Sequence, residues 1–260
     1  MVSSLALGCA RQCCRLRKTP IRPYSSTASG TSVFSQPKDA EYLYSAVSPP
    51  TLRRLHGLPE IIVTGRANAG KSTLLNAILG RRDLVMSSKK PGKTRMLNFF
   101  QVGPDIGKLV LVDSPGYGAR GRPEWGSLFD YYLRRRTECV LSWISVSAAL
   151  MRARASRLRR VYILFNSIHG LNEADKMMLR DLDTRSQSWE GNKWTFQAVL
   201  TKADKATQTD APDRIAKIRE EIFEAAPTCL PPIVTAAGLS PPFGITEVRN
   251  SIAEACGIVD

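Results

Sequence analysis

The sequence offers few of the side chains that hold zinc or build a disulfide framework. It has two histidines and six cysteines, and the cysteines stand at positions 9, 13, 14, 139, 229 and 256. No Cys-x-x-Cys pair occurs together with a second pair or with nearby histidines, so neither a zinc site nor a disulfide framework is predicted. The pattern is typical of reduced thiols in an intracellular compartment.

Long hydrophobic runs are absent as well. The most apolar stretch covers residues 139–151, and its thirteen residues are too few for a membrane span, which needs about 20. We therefore predict no transmembrane segment. The 260 residues, of which 43% are hydrophobic, suit one folded domain with tails, and they do not indicate an oligomeric state.

Acidic residues are missing from the first 38 positions, where arginine, lysine and serine are frequent. This composition is typical of a transit peptide. The sequence RPYS at residues 22–25 resembles the site of the mitochondrial matrix peptidase, with cleavage after Tyr24. We predict a mitochondrial transit peptide over residues 1–24 and a location in the matrix. The alternative is a basic arm that stays attached and binds RNA.

The charge balance points to an acidic partner. The net charge is +14 at pH 7, and loss of residues 1–24, which carry five basic side chains and no acidic ones, would leave +9. A strongly basic chain suits nucleic acid or an anionic membrane surface. Residues 25–45, rich in serine, threonine, glycine and proline, predict a flexible linker before a folded domain over residues 46–260.

The central motif of the chain is GRANAGKS at residues 65–72. An apolar run at residues 61–63 precedes it, and residues 73–79 follow with helical spacing. Between a strand and a helix this motif binds phosphate, because its glycines let backbone N–H groups turn inward and the helix N-terminus adds its dipole. Lys71 can reach the β- and γ-phosphates, and the Ser72 hydroxyl can ligate Mg²⁺. The motif predicts a nucleoside triphosphate ligand.

A second motif, DSPG at residues 113–116, follows an apolar run at residues 109–112. An aspartate at the C-terminal end of a buried strand can hold Mg²⁺ through water, and the Gly116 N–H can meet the γ-phosphate. The same four residues could make an ordinary turn. Their position after the phosphate loop favours the nucleotide role.

A third motif, TKAD at residues 201–204, follows a strand-like run at residues 195–200. The Asp204 carboxylate can accept from guanine N1–H and the 2-amino group together, a donor pair that adenine lacks, and the Lys202 stem can cover the ring. The alternative role for these residues is a helix N-cap. A short strand at residues 232–234 then leads to residues 235–237, whose N–H groups could contact guanine O6. Together these segments predict a guanine nucleotide.

The alternation of strands and helices predicts an α/β fold. We expect a three-layer P-loop GTPase domain with a mostly parallel six-stranded sheet. Residues 96–102 are expected to form the one antiparallel edge strand. Nucleotide should bind at the C-terminal ends of the strands.

The motifs GRANAGKS, KPGKT, DSPGYG and LTKADK, in this order, resemble the EngB-type ribosome-biogenesis GTP-binding proteins of the Era/EngA-like group. The resemblance covers about residues 45–257. It implies that Thr94 ligates Mg²⁺ beside Ser72 and Asp113, and that the catalytic residues are Lys71, Thr94 and Gly116. The nucleotide-binding residues that it implies are Gly65, Arg66, Ala67, Asn68, Ala69, Gly70, Lys71, Ser72, Thr73, Gly92, Lys93, Thr94, Asp113, Ser114, Pro115, Gly116, Thr201, Lys202, Ala203, Asp204, Thr235, Ala236 and Ala237.

The resemblance also implies a function. With the predicted transit peptide, it indicates a GTP- and Mg²⁺-binding GTPase that assists assembly of the mitochondrial ribosome, with the rRNA or proteins of the large subunit as partner. The alternative is a mitochondrial GTPase that acts at a membrane surface or in tRNA modification. Ala236 and Ala237 depart from the family, which usually carries serines in that loop.

Residues 137–156 also depart from the family pattern. They combine an apolar run with Arg152 and Arg154, and further arginines follow at 157, 159 and 160. Three interpretations remain open: a basic extension of the preceding helix, which we favour, a surface insertion that contacts rRNA or membrane, and a gene-model artefact.

The hydrolytic machinery departs from that of Ras-type GTPases. Tyr117 stands where those proteins place the glutamine that orients water, so intrinsic turnover should be slow, about 10⁻³ s⁻¹ or less. Asn68 resembles the asparagine of potassium-dependent GTPases, which implies a K⁺ ion beside the phosphates. The alternative is that Asn68 only bonds its own loop backbone.

Overall fold

The computed structural model describes residues 32–53, 55, 57–86, 96–104, 107–117, 123–137, 157–187, 194–205 and 211–258. Within these ranges the chain forms seven strands and five α-helices. The strands are β1 (Ala40–Ala46), β2 (Glu60–Gly65), β3 (Leu97–Val102), β4 (Leu109–Asp113), β5 (Leu158–Asn166), β6 (Thr195–Thr201) and β7 (Leu230–Val234). The helices are α1 (Lys71–Leu79), α2 (Pro123–Thr137), α3 (Glu173–Ser186), α4 (Ala211–Ala225) and α5 (Ile245–Cys256).

All seven strands belong to one sheet in the order β1-β3-β4-β2-β5-β6-β7. Neighbours from β4 to β7 pair in parallel, whereas β3 is antiparallel to both β1 and β4. The prediction of a mostly parallel α/β sheet with one antiparallel strand is confirmed. The predicted count of six strands is wrong, and so is the edge position of β3, because β1 pairs with the far side of β3.

The predicted flexible linker is wrong from residue 32 onward. Short 3₁₀ turns at Ser32–Phe34 and Pro37–Asp39 lead directly into β1. Phe34 is buried, and the Tyr44 ring stacks on Phe99 of β3 with 4.4 Å between ring centroids. The folded domain thus begins before residue 46, because this segment supplies apolar side chains that the core needs. The rest of the linker and the predicted transit peptide lie outside the described residues.

Two apolar layers cover the two faces of the sheet. On one face, α1 and α5 pack Leu75, Ile78 and Ile252 against strand residues such as Ile61. On the other face, α2, α3 and α4 bury their own apolar residues, including Tyr132. The central strands β2 and β4 are buried along their whole length, as expected for parallel strands that helices cover on both faces.

The predicted insertion over residues 137–156 follows helix α2. The helix is described as far as Thr137, and residues 138–156, which would form the favoured helical extension, lie outside the described residues. Among the residues that are described, no helix is long and apolar enough to cross a membrane.

Candidate nucleotide-binding site

The parallel arrangement brings the predicted motifs to one edge of the sheet. Strands β2, β4 and β6 end at Gly65, Asp113 and Thr201, and each of these residues begins or belongs to one of the motifs. Since parallel strands end on the same side, the phosphate loop, the DSPG segment and the TKAD segment lie together.

The backbone of residues 65–70 forms a compact loop between β2 and α1. Asn68 and Gly70 both have positive φ, at 63° and 92°. At Gly65 a Cβ atom would stand 2.9 Å from the Leu164 carbonyl oxygen, so a larger residue does not fit. The strand, loop and helix that were expected around the motif are therefore confirmed.

Helix α1 begins at the loop with its N–H groups directed to the motif. Its first internal hydrogen bond joins the Leu74 N–H to the Gly70 carbonyl at 2.9 Å. The N–H groups of Lys71, Ser72 and Thr73 precede this bond, and a helix has no internal acceptor for such groups. Together with the helix dipole they make this end suited to phosphate oxygens.

Lys71 folds back over the loop that it follows. Its Nζ donates to the carbonyl oxygens of Gly65 at 2.9 Å and of Arg66 at 3.0 Å. Burial lowers the Lys71 pKa to about 8, and the negative charge of Asp113 opposes this change. A bound phosphate would favour the charged ammonium and so oppose the lowering by burial.

Asp113 is a buried carboxylate with one oxygen that lacks a partner. The residue is 1% exposed, and among the described residues Oδ1 has no hydrogen-bond partner. Burial raises its pKa to about 6, whereas Lys71 and a hydrogen bond from Asn98 lower it. The Asn98 side chain is held in turn by Ser45 of β1, because the Ser45 Oγ donates a hydrogen bond to the Asn98 Oδ1 at 2.6 Å. Asn98 and Ser45 were not predicted as site residues, because neither belongs to a motif.

This carboxylate fits the Mg²⁺ role that sequence analysis gave it. A buried carboxylate oxygen without a protein donor suits a cation or its water. No group of three or more His, Cys, Asp or Glu side chains that could hold a metal occurs among the described residues. An ion here would therefore be held mainly by phosphates, hydroxyls and water, as is usual for Mg²⁺ in nucleotide sites. Gly92, Lys93 and Thr94 lie outside the described residues.

The DSPG segment lies against the phosphate loop. The Ser114 N–H donates to the Val63 carbonyl at 3.1 Å. A Cβ atom at Gly116 would stand 2.9 Å from the Ala67 nitrogen, so only glycine allows this approach. Tyr117 then forms an isolated parallel β-bridge with Arg66. The predicted sensor of the third phosphate therefore touches the loop that would bind it.

The TKAD segment contacts the phosphate loop as well. Thr201 Oγ1 donates to the Ala69 carbonyl at 2.7 Å, and Lys202 Nζ donates to the Asn68 carbonyl at 2.9 Å. The segment predicted to read the base and the predicted phosphate loop thus form one hydrogen-bonded unit. The sequence suggested only that the Lys202 stem covers the base; the contact with Asn68 was not predicted.

The residues expected to bind the base lie next to this unit. The Ala203 N–H donates to the Thr235 carbonyl at 3.1 Å, which joins the TKAD segment to the loop after β7. Asp204 is exposed, and its Oδ2 lies 4.0 Å from the position that a Cβ would take at Gly238. Ala236 exchanges two backbone hydrogen bonds with Phe243, and Ala237 follows in the same loop. The carboxylate is therefore open to a ligand beside the predicted base loop.

One cluster at the site was not predicted. Asp175 of α3 accepts from Arg66 and from the Tyr117 hydroxyl, so it touches both the phosphate loop and the residue after Gly116. Burial, and then the Asp175 charge, raise the Tyr117 pKa well above its usual value, so the tyrosine remains the donor. The only local signal is the capping pattern of Asn172 and Asp175.

The fold and this site define a P-loop protein that binds guanine nucleotides. A family model described as a 50S ribosome-binding GTPase matches residues 60–202. The probable GTP-binding protein EngB of Rhodospirillum rubrum is 36% identical over 195 residues, which cover 74% of each chain. The probable EngB of Bradyrhizobium diazoefficiens is 34% identical over 226 residues, with 87% of this chain and 92% of that protein covered. The chain belongs to the EngB family of GTP-binding proteins, and it is a GTPase.

Solved structures support the fold at lower identity. Era in complex with MgGDPNP and a segment of 16S ribosomal RNA is 17% identical, with a TM-score of 0.51 over 78% of this chain and 57% of that chain. Toc33 of Arabidopsis thaliana in complex with Mg²⁺ and GMPPNP is 13% identical, with a TM-score of 0.51 over 77% of this chain and 85% of that chain. These likenesses show a shared P-loop GTPase fold.

Proposed function

We propose that this GTPase is an assembly factor for the large subunit of the mitochondrial ribosome. The observation that carries the proposal is the match of residues 60–202 to the 50S ribosome-binding GTPases, in a chain whose phosphate loop and base reader lie together. The net charge of +14 supports a partner rich in RNA. The acid-free N-terminal 38 residues support import into the mitochondrion and cleavage after Tyr24.

In this proposal each part of the nucleotide is bound by different residues. The N–H groups at the start of α1 and the Lys71 ammonium bind the phosphates, and Asp204 selects guanine. Ser72 and Asp113 would hold Mg²⁺, with Thr94 as the further ligand proposed from the sequence. When bound, Mg²⁺ offsets the negative charge that develops on the phosphates during hydrolysis. Gly116 reads the third phosphate through its N–H, so its contact with Ala67 should differ between GTP and GDP.

The ribosomal partner can be tested by sedimentation. With a non-hydrolysable GTP analogue, tagged protein should co-sediment with large-subunit particles in gradients of mitochondrial lysate, and depletion should leave that subunit immature. The Lys71→Ala variant, which loses a phosphate contact, should remain at the top of the gradient. Normal subunit profiles after depletion, with the protein found on membranes, would instead favour the role at a membrane surface. A variant without residues 137–156 shows whether that segment is needed for either location.

We also propose that K⁺ assists hydrolysis beside Asn68. The Asn68 side chain is exposed, and none of the hydrogen bonds among the described residues involves it, so its amide oxygen is available to a cation. Its backbone carbonyl is occupied by Lys202. A cation at this position would offset charge between the β- and γ-phosphates, a role that an arginine finger fills in other GTPases.

GTP turnover should therefore be faster in K⁺ than in Na⁺ at equal ionic strength, by roughly tenfold or more if the ion replaces a preorganised positive group. The Asn68→Ala variant should lose this difference between the salts. Turnover should be measured under single-turnover conditions, because product release can hide the chemical step. The same rate in both salts for the unmodified protein would refute the potassium proposal.

A further inference from the structure

Asp175 is a fully buried carboxylate at which three segments of the chain meet. The residue is 0% exposed. Its Oδ2 lies 3.0 Å from Arg66 Nε of the phosphate loop, and its Oδ1 accepts from the Tyr117 hydroxyl at 2.9 Å. Oδ2 also accepts from the Asn172 N–H at 3.0 Å, at the start of α3. Both carboxylate oxygens are therefore in use, and two of the three donors belong to the nucleotide site.

The start of α3 fixes the place of this carboxylate. Asn172 is the N-cap, and its side chain accepts from the Asp175 N–H at 3.0 Å, which completes a reciprocal capping box. Near a helix N-terminus a negative charge is also favoured by the dipole. Since α3 packs on the core through Leu179 and Leu182, it holds the carboxylate in a fixed position.

The contacts on the loop side are specific to the nucleotide machinery. The Arg66 guanidinium is bound by Asp175 and donates from Nη2 to the Gly170 carbonyl at 3.3 Å. Tyr117 pairs with Arg66 through the backbone as well, and a Cβ atom at the neighbouring Gly116 would stand only 2.9 Å from the Ala67 nitrogen. The Asp175 carboxylate thus holds Arg66 and Tyr117 from one side while their backbones pair on the other.

We propose that Asp175 is a positioning residue for the side of the site that binds the γ-phosphate. It acts through the Tyr117 hydroxyl and the Arg66 guanidinium, which hold Gly116 against the phosphate loop. There the Gly116 N–H can meet the third phosphate of GTP. GDP lacks this phosphate, so the positioning matters for GTP and for hydrolysis but not for GDP. A merely structural capping role would lower stability without separating the two nucleotides.

Tyr117→Phe removes only the hydroxyl, and Asp175→Asn removes the charge with little change of shape. Hydrogen bonds to charged groups are strong enough that each variant should lower the single-turnover hydrolysis rate about tenfold. Affinity for a non-hydrolysable GTP analogue should fall, whereas the Kd for GDP should stay within about twofold. The full chain is used, with no ribosomal particles, so the result does not depend on the proposed partner.

A control variant separates positioning from stability. Tyr162→Phe also removes a buried tyrosine hydroxyl, one that bonds Ser251 Oγ at 2.7 Å away from the site. This control should leave the ratio of GTP-analogue to GDP affinity unchanged. If Tyr117→Phe matches Tyr162→Phe in this ratio and in rate, the proposal is overturned, and this comparison decides the matter even if Asp175→Asn does not fold.

Discussion

Replacing Asp204 with asparagine should reduce GTP affinity by roughly 10²–10⁴-fold and improve binding of xanthosine triphosphate. The carboxylate is exposed beside Gly238, where it can accept from two guanine donors at once. An asparagine amide would set its own N–H₂ against one of these donors. Xanthine carries an oxygen where guanine has the 2-amino group, so the same amide can donate to it. Competition of GTP, xanthosine triphosphate and ATP against a fluorescent GDP measures all three affinities.

The same substitution at an exposed aspartate of α4 provides the control. Asp213→Asn should leave the order of affinities unchanged, since this residue lies in the first turn of a helix and outside the site. The assignment of Asp204 as the guanine reader fails if the unmodified protein binds ATP and GTP equally well.

Removing the chain up to residue 46 should prevent stable folding. Strand β1 covers one side of β3, and its Tyr44 stacks on Phe99 while Phe34 fills the other layer of the core. Each large side chain that becomes exposed costs about 1.5–3 kcal/mol, so several such losses exceed about 5 kcal/mol. A domain is stable by only about 5–15 kcal/mol in total. Thermal unfolding should show a midpoint lowered by more than about 10 °C, or no cooperative transition at all.

A chain that begins at Ser25, the first residue after the predicted cleavage site, is the matched control. It keeps the whole of β1 and should unfold like the full chain. If the chain that begins after residue 46 had the same midpoint as this control, β1 would be an accessory strand, and a domain start at residue 46 would be correct after all. Loss of Ser45 also removes the contact that orients Asn98 toward Asp113, so weaker nucleotide binding is expected in any fraction that folds.

The sequence predicts well those parts of the structure that are determined by residues close together in the chain. The phosphate loop needs a strand, two glycines and a helix start within a dozen residues, and all of them are visible in the chain itself. The parallel sheet follows from the alternation of apolar strands with helices. The placement of the three motifs at one sheet edge then follows from the parallel direction of the strands.

The parts that were missed depend on partners far along the chain. Strand β1 was not predicted because the average composition of residues 25–45 is polar, and because Tyr44 and Ala46 are recognisable as core residues only where they pack beside β3. The Asp175 contact with Arg66 joins residues more than a hundred positions apart, and a capping pattern at the start of a helix does not reveal it. Such contacts follow from tertiary packing, which sequence periodicity does not contain.

The sheet order has a consequence for how the chain acquires its structure during synthesis. Strand β1 is made first, but its partner β3 begins about fifty residues later, after β2 and α1. At about 5–20 residues per second, β1 waits roughly 3–11 s before β3 is complete. Bringing together segments that are so far apart along the chain is entropically costly, and an unpaired strand is open to wrong partners. Edge strand β1 is thus synthesised before the rest of the sheet, but it joins the sheet only after β3 has formed.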